Sequence, residues 1–282
     1  MTALQSLQNG DLNGTLKQLQ AEVVANPAEP KHRIFLFQLL SVMGQWDRAL
    51  NQLNVVRDLG PEALSLAQTY QETLNCEALR SGVFSGQRTP LIFGEPEPWM
   101  GLILEALRMD SQGKTTEATA VREEALEQAP ATAGRLATVA PPKGEASTAA
   151  EPAESVPFAW VADADSRLGP MLEAIIHGRY FWVPFQRIDT MLFEKTADLR
   201  DLVWLPARFK WVNGGEAVGF IPTRYVGSEQ SADDHIRLGW KTVWEEASPG
   251  TYVGLGQRVL ATDVDEYSIT KIARVEFEVE SA

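Results

Sequence analysis

Along the first 130 residues, apolar side chains return every three or four positions, the spacing of helices that bury one stripe. After residue 156 they come in short runs broken by turn residues, the pattern of strands. The helical part repeats. Gly10 and Gly44 are 34 residues apart, and so are Leu12 and Trp46, Leu16 and Leu50, Leu19 and Leu53, and Pro27 and Pro61. A third copy runs from Gly113 to Pro130, and in all three copies the glycine and proline stand 17 residues apart. The tetratricopeptide helix pair has this 34-residue period. Glycine turns the chain, a small residue (Ala49, Ala118) lets helices approach, and proline stops the second helix. The first copy has Thr15 at the small-residue position. The helix Lys31–Met43 is apolar nearly all round, through Ile34, Phe35, Phe37, Leu39, Leu40 and Val42, as suits burial between two neighbours. Pro98-Trp99 opens the matching helix before Gly113. Between them lies a degenerate repeat: a helix from Leu64 to about Arg80, then an irregular stretch, Gly82–Pro98, with three prolines and three glycines.

Residues 131–155 hold eight alanines, three prolines and no aromatic residue, too little apolar surface to offset the entropy of ordering them. Six of the eight tryptophans follow: Trp160, Trp182, Trp204, Trp211, Trp240 and Trp244. Strands are predicted at Tyr180–Phe185, Leu202–Trp211, Ala217–Ile221, Ile236–Trp244, Arg258–Thr262 and Ala273–Val279. Asn213-Gly214-Gly215 and Ser248-Pro249-Gly250 are turn signals. A helix is predicted after Gly169, with Pro170 in its first turn, Leu172, Ile175 and Ile176 inside and Gly178 as its cap, and a shorter one at Thr190–Leu199. The expected architecture is multidomain α and β. Residues 1–130 would form an all-α tetratricopeptide-like array, 131–155 a flexible Ala/Pro-rich linker, and 156–282 a Trp-rich α+β domain with a mainly antiparallel sheet.

Composition narrows the function classes. A chain of 282 residues with 44% apolar content can fill two cores. The net charge of −13 argues against sequence-independent nucleic-acid binding, which needs a cationic surface. Cys76 is the sole cysteine, so no intrachain disulfide forms. No apolar run approaches the ~20 residues of a membrane span. The start, Met1-Thr2-Ala3-Leu4-Gln5, lacks the basic and apolar regions of a secretory signal. These features lead to the expectation of a soluble, cytoplasmic protein without nucleic-acid or membrane partners.

Asp163-Ala164-Asp165-Ser166-Arg167 is the most enzyme-like stretch. Two carboxylates two residues apart suit a divalent cation or acid–base work in a hydrolase-like site. They equally suit capping of the helix expected near Pro170 and pairing with Arg167, the reading favoured here because no further ligand set accompanies them. His32, His177 and His235 are scattered, with His177 placed at a helix end, where a cation complements the dipole. Cys76 reads as a small buried residue. No metal spacing, phosphate loop or nucleophile elbow is present, and no cofactor is expected. Gly254-Leu255-Gly256-Gln257-Arg258 is too short for a dinucleotide fingerprint and reads as a turn leading into a strand. Tryptophan at this density packs cores by default, with an aromatic binding surface as the alternative.

Several motifs resemble one family. Phe158-Ala159-Trp160-Val161-Ala162-Asp163-Ala164-Asp165-Ser166-Arg167-Leu168-Gly169-Pro170 is similar to a signature of the ImpE/SciE/TagJ proteins of bacterial type VI secretion loci. So are Gly178–Phe185, Leu199–Trp204 and Gly254–Arg258, and, in the first half, Arg33–Leu40 followed by Gly44–Leu50. The resemblance spans nearly the whole chain except the linker. It implies a non-enzymatic accessory component associated with the contractile sheath, chiefly through the N-terminal helix of the small sheath subunit, and with the ATPase that recycles contracted sheath. A helix as partner agrees with the concave face that stacked helix pairs present. On that face Arg33, Phe37, Gln38, Trp46 and Arg48 are the candidate contacts. Trp160, Asp163, Asp165 and Arg167 are family-motif positions with an expected structural role, and the resemblance supplies no catalytic residue.

Overall fold

The computed structural model describes residues 2–60, 63–140 and 154–278. Helices α1 (Ala3–Gln8), α2 (Leu12–Ala25), α3 (Pro30–Val42), α4 (Trp46–Leu59) and α5 (Leu64–Phe84) come first. A short strand, β1 (Leu91–Ile92), precedes α6 (Pro98–Ser111) and α7 (Thr115–Gln128). Helix α1 packs on α2, α3 on α4, and α6 on α7. The glycines that set the repeat sit in the turns inside these pairs: Gly10, Gly44 and Gly113 have φ of +75°, +66° and +76°, in the left-handed region that side chains avoid. Pro61, expected to stop the second copy, lies outside the described residues.

The remaining elements are β2 (Gly134–Thr138), β3 (Val156–Phe158), β4 (Val161–Asp163), β5 (Met171–Ile176), β6 (Arg179–Pro184), β7 (Ile188–Phe193), β8 (Trp204–Trp211), β9 (Glu216–Pro222), helix α8 (Asp234–Arg237), β10 (Thr242–Ser248), β11 (Thr251–Gly256), β12 (Val259–Thr262), β13 (Glu266–Ser268) and β14 (Ile272–Phe277). Nine strands form one sheet in the order β1-β6-β5-β9-β8-β7-β14-β2-β3; β13-β12-β4 form a second, and β10-β11 a separate hairpin. Every pairing is antiparallel except β1 with β6.

Six expectations are corrected. The segment after Gly169 is strand β5, not a helix. All six of its residues are buried, so both faces carry apolar side chains, and such a run lacks the alternation that marks a half-exposed strand. His177 (φ +49°) and Gly178 (φ +68°) are the hairpin turn into β6, so neither ends a helix. Thr190–Leu199 begins with the last four residues of β7 and then runs without regular structure to a 3-10 turn at Leu199–Leu202. Ile236–Trp244 divides into the end of α8 and the start of β10. Gly254–Gly256 closes strand β11 rather than forming a turn. Within the expected linker, Gly134–Thr138 is a strand paired on both sides, to β14 and β3. Its alternation of Leu136 inside and Arg135 outside is short enough to be lost in the surrounding alanines. Residues 141–153 of that linker lie outside the described ones. The irregular stretch Gly82–Pro98 also contributes β1, which lies along the outer side of β6.

Two buried clusters flank the large sheet. One runs from Leu12, Phe37, Leu53 and Leu74 in the helices to Met171, Ile175, Trp182 and Trp204 in the sheet, so helices and sheet share a core. The other lies on the opposite face, where Leu172, Ala174 and Ile176 meet Leu260 and Ile269 of the smaller sheet region. Of the tryptophans after residue 156, Trp182, Trp204 and Trp211 are buried; Trp160, Trp240 and Trp244 are exposed.

Candidate functional site

A chain of buried charges crosses from helix α5 into the sheet. Glu173 stands at the centre of β5 with no solvent exposure. Its carboxylate accepts two bonds from Arg80 of α5, at 2.6 and 3.0 Å, and one from the Tyr180 hydroxyl at 2.5 Å. It also receives the guanidinium of Arg258. The Tyr180 hydroxyl accepts in turn from the Trp182 indole, at 2.7 Å. Arg258 bridges onward to Asp163 and donates to the Pro222 carbonyl at 2.9 Å. On the helical side, Glu77 pairs with Arg80 at 3.5 Å and accepts from the Trp204 indole at 2.7 Å.

The family-motif acids complete this network. Asp163 accepts from the backbone N–H of Asp165 at 2.9 Å and from the Tyr225 hydroxyl at 3.1 Å. Asp165 accepts from the N–H and side chain of Arg167, the side-chain bonds being 2.9 and 2.6 Å, and from the N–H of Gly254 at 3.0 Å. Both carboxylates are therefore committed to internal donors. Among the described residues no cluster of three or more His, Cys, Asp or Glu side chains is arranged to hold a metal ion. Trp160 stands apart from the network and is exposed.

Burial alone would push the Glu173 carboxyl up; Arg80 and Arg258, with the bonds from Arg80 and Tyr180, reverse this and hold it down at about 2. For Asp163, burial outweighs Arg258 and pushes the carboxyl up to about 6. Burial likewise raises Glu77. Arg224, inside the same region, donates to the carbonyl of Val42 at 2.8 Å, and burial brings its guanidinium down to about 10. Glu77, Arg80, Glu173 and Arg224 escaped the sequence reading. The available signal was a lone charge inside an apolar run, as in Met171-Leu172-Glu173-Ala174-Ile175-Ile176, a pattern that demands a buried partner.

The five candidate contacts on the helices separate. Phe37 is fully buried against Tyr70, with ring centroids 5.5 Å apart, and belongs to the core. Gln38 is buried as well, and its side-chain oxygen accepts from the N–H of Leu199 at 3.1 Å. Trp46 is half-buried beside Trp204. Arg33, also half-buried, donates to the Pro27 carbonyl and to Gln52. Arg48 is exposed and bonds Gln45.

Several hollows open on the surface. One, of about 570 Å3, lies between α1, α3 and residues 196–202; Leu4, Leu7, Ile34, Phe35, Leu199 and Leu202 line it, with Lys31 and Asp198 also present. Another, of about 710 Å3, lies on the outer face of β7, β8, β9 and β14. Its cations are matched by acids: Arg208 with Glu194, Lys210 with Asp189 and Arg274 with Glu276.

The chain belongs to the ImpE protein family, whose profile matches residues 155–276, the part that holds Asp163, Asp165, Glu173 and Arg258. Over 278 residues it is 44% identical to the type VI secretion system accessory component TagJ of Pseudomonas aeruginosa, covering 99% of this chain and 92% of that protein. The crystal structure of protein VPA1032 from Vibrio parahaemolyticus shares the fold, with a TM-score of 0.81 at 23% identity, covering 99% of this chain and 98% of that one. No helix among the described residues is long and apolar enough to cross a membrane.

Proposed function

We propose that this chain is a non-enzymatic adaptor of the type VI secretion machine. It binds the N-terminal helix of the small contractile-sheath subunit and assists handling of the sheath by its recycling ATPase, in the cytoplasm. The helix pairs act as a tetratricopeptide-like array, and the observation that carries the reading is the apolar groove between α1, α3 and the Leu199–Leu202 turn. Leucine and aromatic walls with a lysine and an aspartate beside them match one amphipathic helix, whose anchors fall at i, i+3, i+4 and i+7. The 44% identity to a type VI accessory component supports the choice of machine. The bond from the Leu199 N–H to the Gln38 side chain ties α3 to the Leu199–Leu202 turn and joins the groove's two walls.

Calorimetry of the full chain with a synthetic N-terminal helix of the small sheath subunit tests this. Saturable binding at one site is expected. Leu4 is 57% exposed, so Leu4→Glu leaves the core intact while charging the groove. It should weaken binding about tenfold or more, the loss of one leucine anchor. Val218→Glu, on the far sheet face, should bind as the native chain does. Absence of binding by the native chain refutes the adaptor reading, and undiminished binding by Leu4→Glu refutes the groove.

A further inference from the structure

Among the described residues, strand edges are protected with one exception. Edge strands β1, β3, β4 and β13 have two or three residues each, and β3 includes Pro157, which has no N–H to offer. The hairpin β10-β11 is longer. Its β11 side is closed by specific bonds: Ser166 N–H to the Tyr252 carbonyl at 2.9 Å, Tyr252 N–H to the Ser166 hydroxyl at 3.0 Å, Gly254 N–H to Asp165 at 3.0 Å, and Gly256 N–H to the Ser228 hydroxyl at 2.8 Å. These bonds show that Tyr252, Gly254 and Gly256 direct their backbone groups away from β10. In an antiparallel ladder, the residues opposite them do the same on the other side. Those residues are Glu246, Trp244 and Thr242. Their N–H and C=O groups line an edge along which no further strand lies among the described residues. The edge is exposed from Val243 to Ala247, and an irregularity between Glu246 and Ser248 ends its regular part.

Side chains along this edge state what would fit. Val243 and Trp244 are each 38% exposed, and Glu245 and Glu246 follow them. Neither carboxylate has an ion-pair partner among the described residues; Glu246 accepts only from the N–H of Gly250, at 3.3 Å. A second copy fits poorly, because two-fold pairing of Thr242–Ser248 sets Glu245, its central residue, against its own counterpart. We infer that β10 is a docking edge for an extended segment of a partner protein, added as a third strand to the hairpin. That segment carries two adjacent basic residues opposite Glu245 and Glu246 and two apolar residues opposite Val243 and Trp244. Backbone bonds to Thr242, Trp244 and Glu246 provide the affinity, and the acid pair provides the selection.

Amide hydrogen exchange of the full chain, with capped peptides as probes, tests the inference. With Lys-Lys-Val-Val-Thr in excess, the amides of Thr242, Trp244 and Glu246 should exchange about tenfold more slowly, while those of Val243 and Glu245, already bonded to β11, hardly change. Glu-Glu-Val-Val-Thr should protect them about tenfold less, from the reversal of two cross-strand charge pairs. The lysine peptide carrying N-methyl groups on its pairing amides should not protect them. Unchanged exchange with the lysine peptide overturns the inference, as does equal protection by the glutamate or N-methylated peptide. Protection that grows with protein concentration in the absence of peptide identifies a second copy as occupant and overturns it too.

Discussion

Replacing Glu173 by glutamine keeps its shape and removes the charge that Arg80 and Arg258 share. The carboxyl titrates at about 2 instead of its ordinary 4.5. At about 1.36 kcal/mol per pKa unit, that difference is worth about 3 kcal/mol to the ionised, folded protein. Loss of one member of a buried ion pair costs about 3–5 kcal/mol, which brackets the same figure. The sign follows from the depressed value. The contribution is complete above the unfolded pKa near 4.5 and disappears as pH falls through 4.5 toward 2. Asp163, raised to about 6, acts oppositely: it favours the fold increasingly as pH falls from 6 toward its unfolded 3.8. Both proteins contain Asp163, so the difference between them isolates Glu173. Urea unfolding at pH 7 should show Glu173→Gln less stable by about 3 kcal/mol, equivalent to a Tm lower by about 5 °C for a chain of this size. The gap should narrow steadily between pH 4.5 and 3. A variant within about 1 kcal/mol of the native chain at pH 7, or a gap that stays constant down to pH 3, would refute the assignment of Glu173 as the ionised centre of the network.

Three further outcomes are expected. Gly254→Ala should cost about 2 kcal/mol in denaturant unfolding, because a Cβ there overlaps the Tyr225 ring, whereas Gly214→Ala, with open space around it and only a positive φ to strain, should cost about 1. Trp204→Phe removes the indole donor to buried Glu77 and should lose about 2 kcal/mol by the same measurement, with a much smaller effect in a Glu77→Leu background, which offers the indole no acceptor. Burial, with Glu77 and Glu72 nearby, pushes the Cys76 thiol up to about 12, so iodoacetamide should label it only as fast as the chain unfolds; rapid labelling of the native protein would contradict the packing of α5.

Legibility in the sequence tracked how local the determinant was. The glycines at 10, 44 and 113 announced the turns of the helix pairs because a positive φ is a property of one residue and its neighbours. Asn213-Gly214-Gly215 placed the β8–β9 hairpin for the same reason. Strand β5 was misread because its burial on two faces is imposed by distant elements, α5 above and the β12 region below, and these erase the period-two signal. Strand β2 was missed because its neighbours β14 and β3 come from later in the chain. The pairing of Asp165 with Arg167 follows from adjacency, but the helix these acids were expected to cap is strand β5, and nothing local encodes the convergence of Asp163 with Arg258, 95 residues away.

Strands β1 and β2 belong to the part of the chain that precedes residue 141, yet they lie at one edge of the nine-stranded sheet and second from the other. A cut between residues 140 and 154 would thus yield two fragments that hold each other by strand pairing on both flanks of the sheet, as well as by the bonds from Arg80 to Glu173. Expressed alone, the first fragment would lack the sheet that covers Phe37 and Leu74, and the second would have an open slot between β14 and β3. Produced together, they should reassemble as complementary halves of one protein, which makes this stretch the natural place to split the chain for a reconstitution sensor.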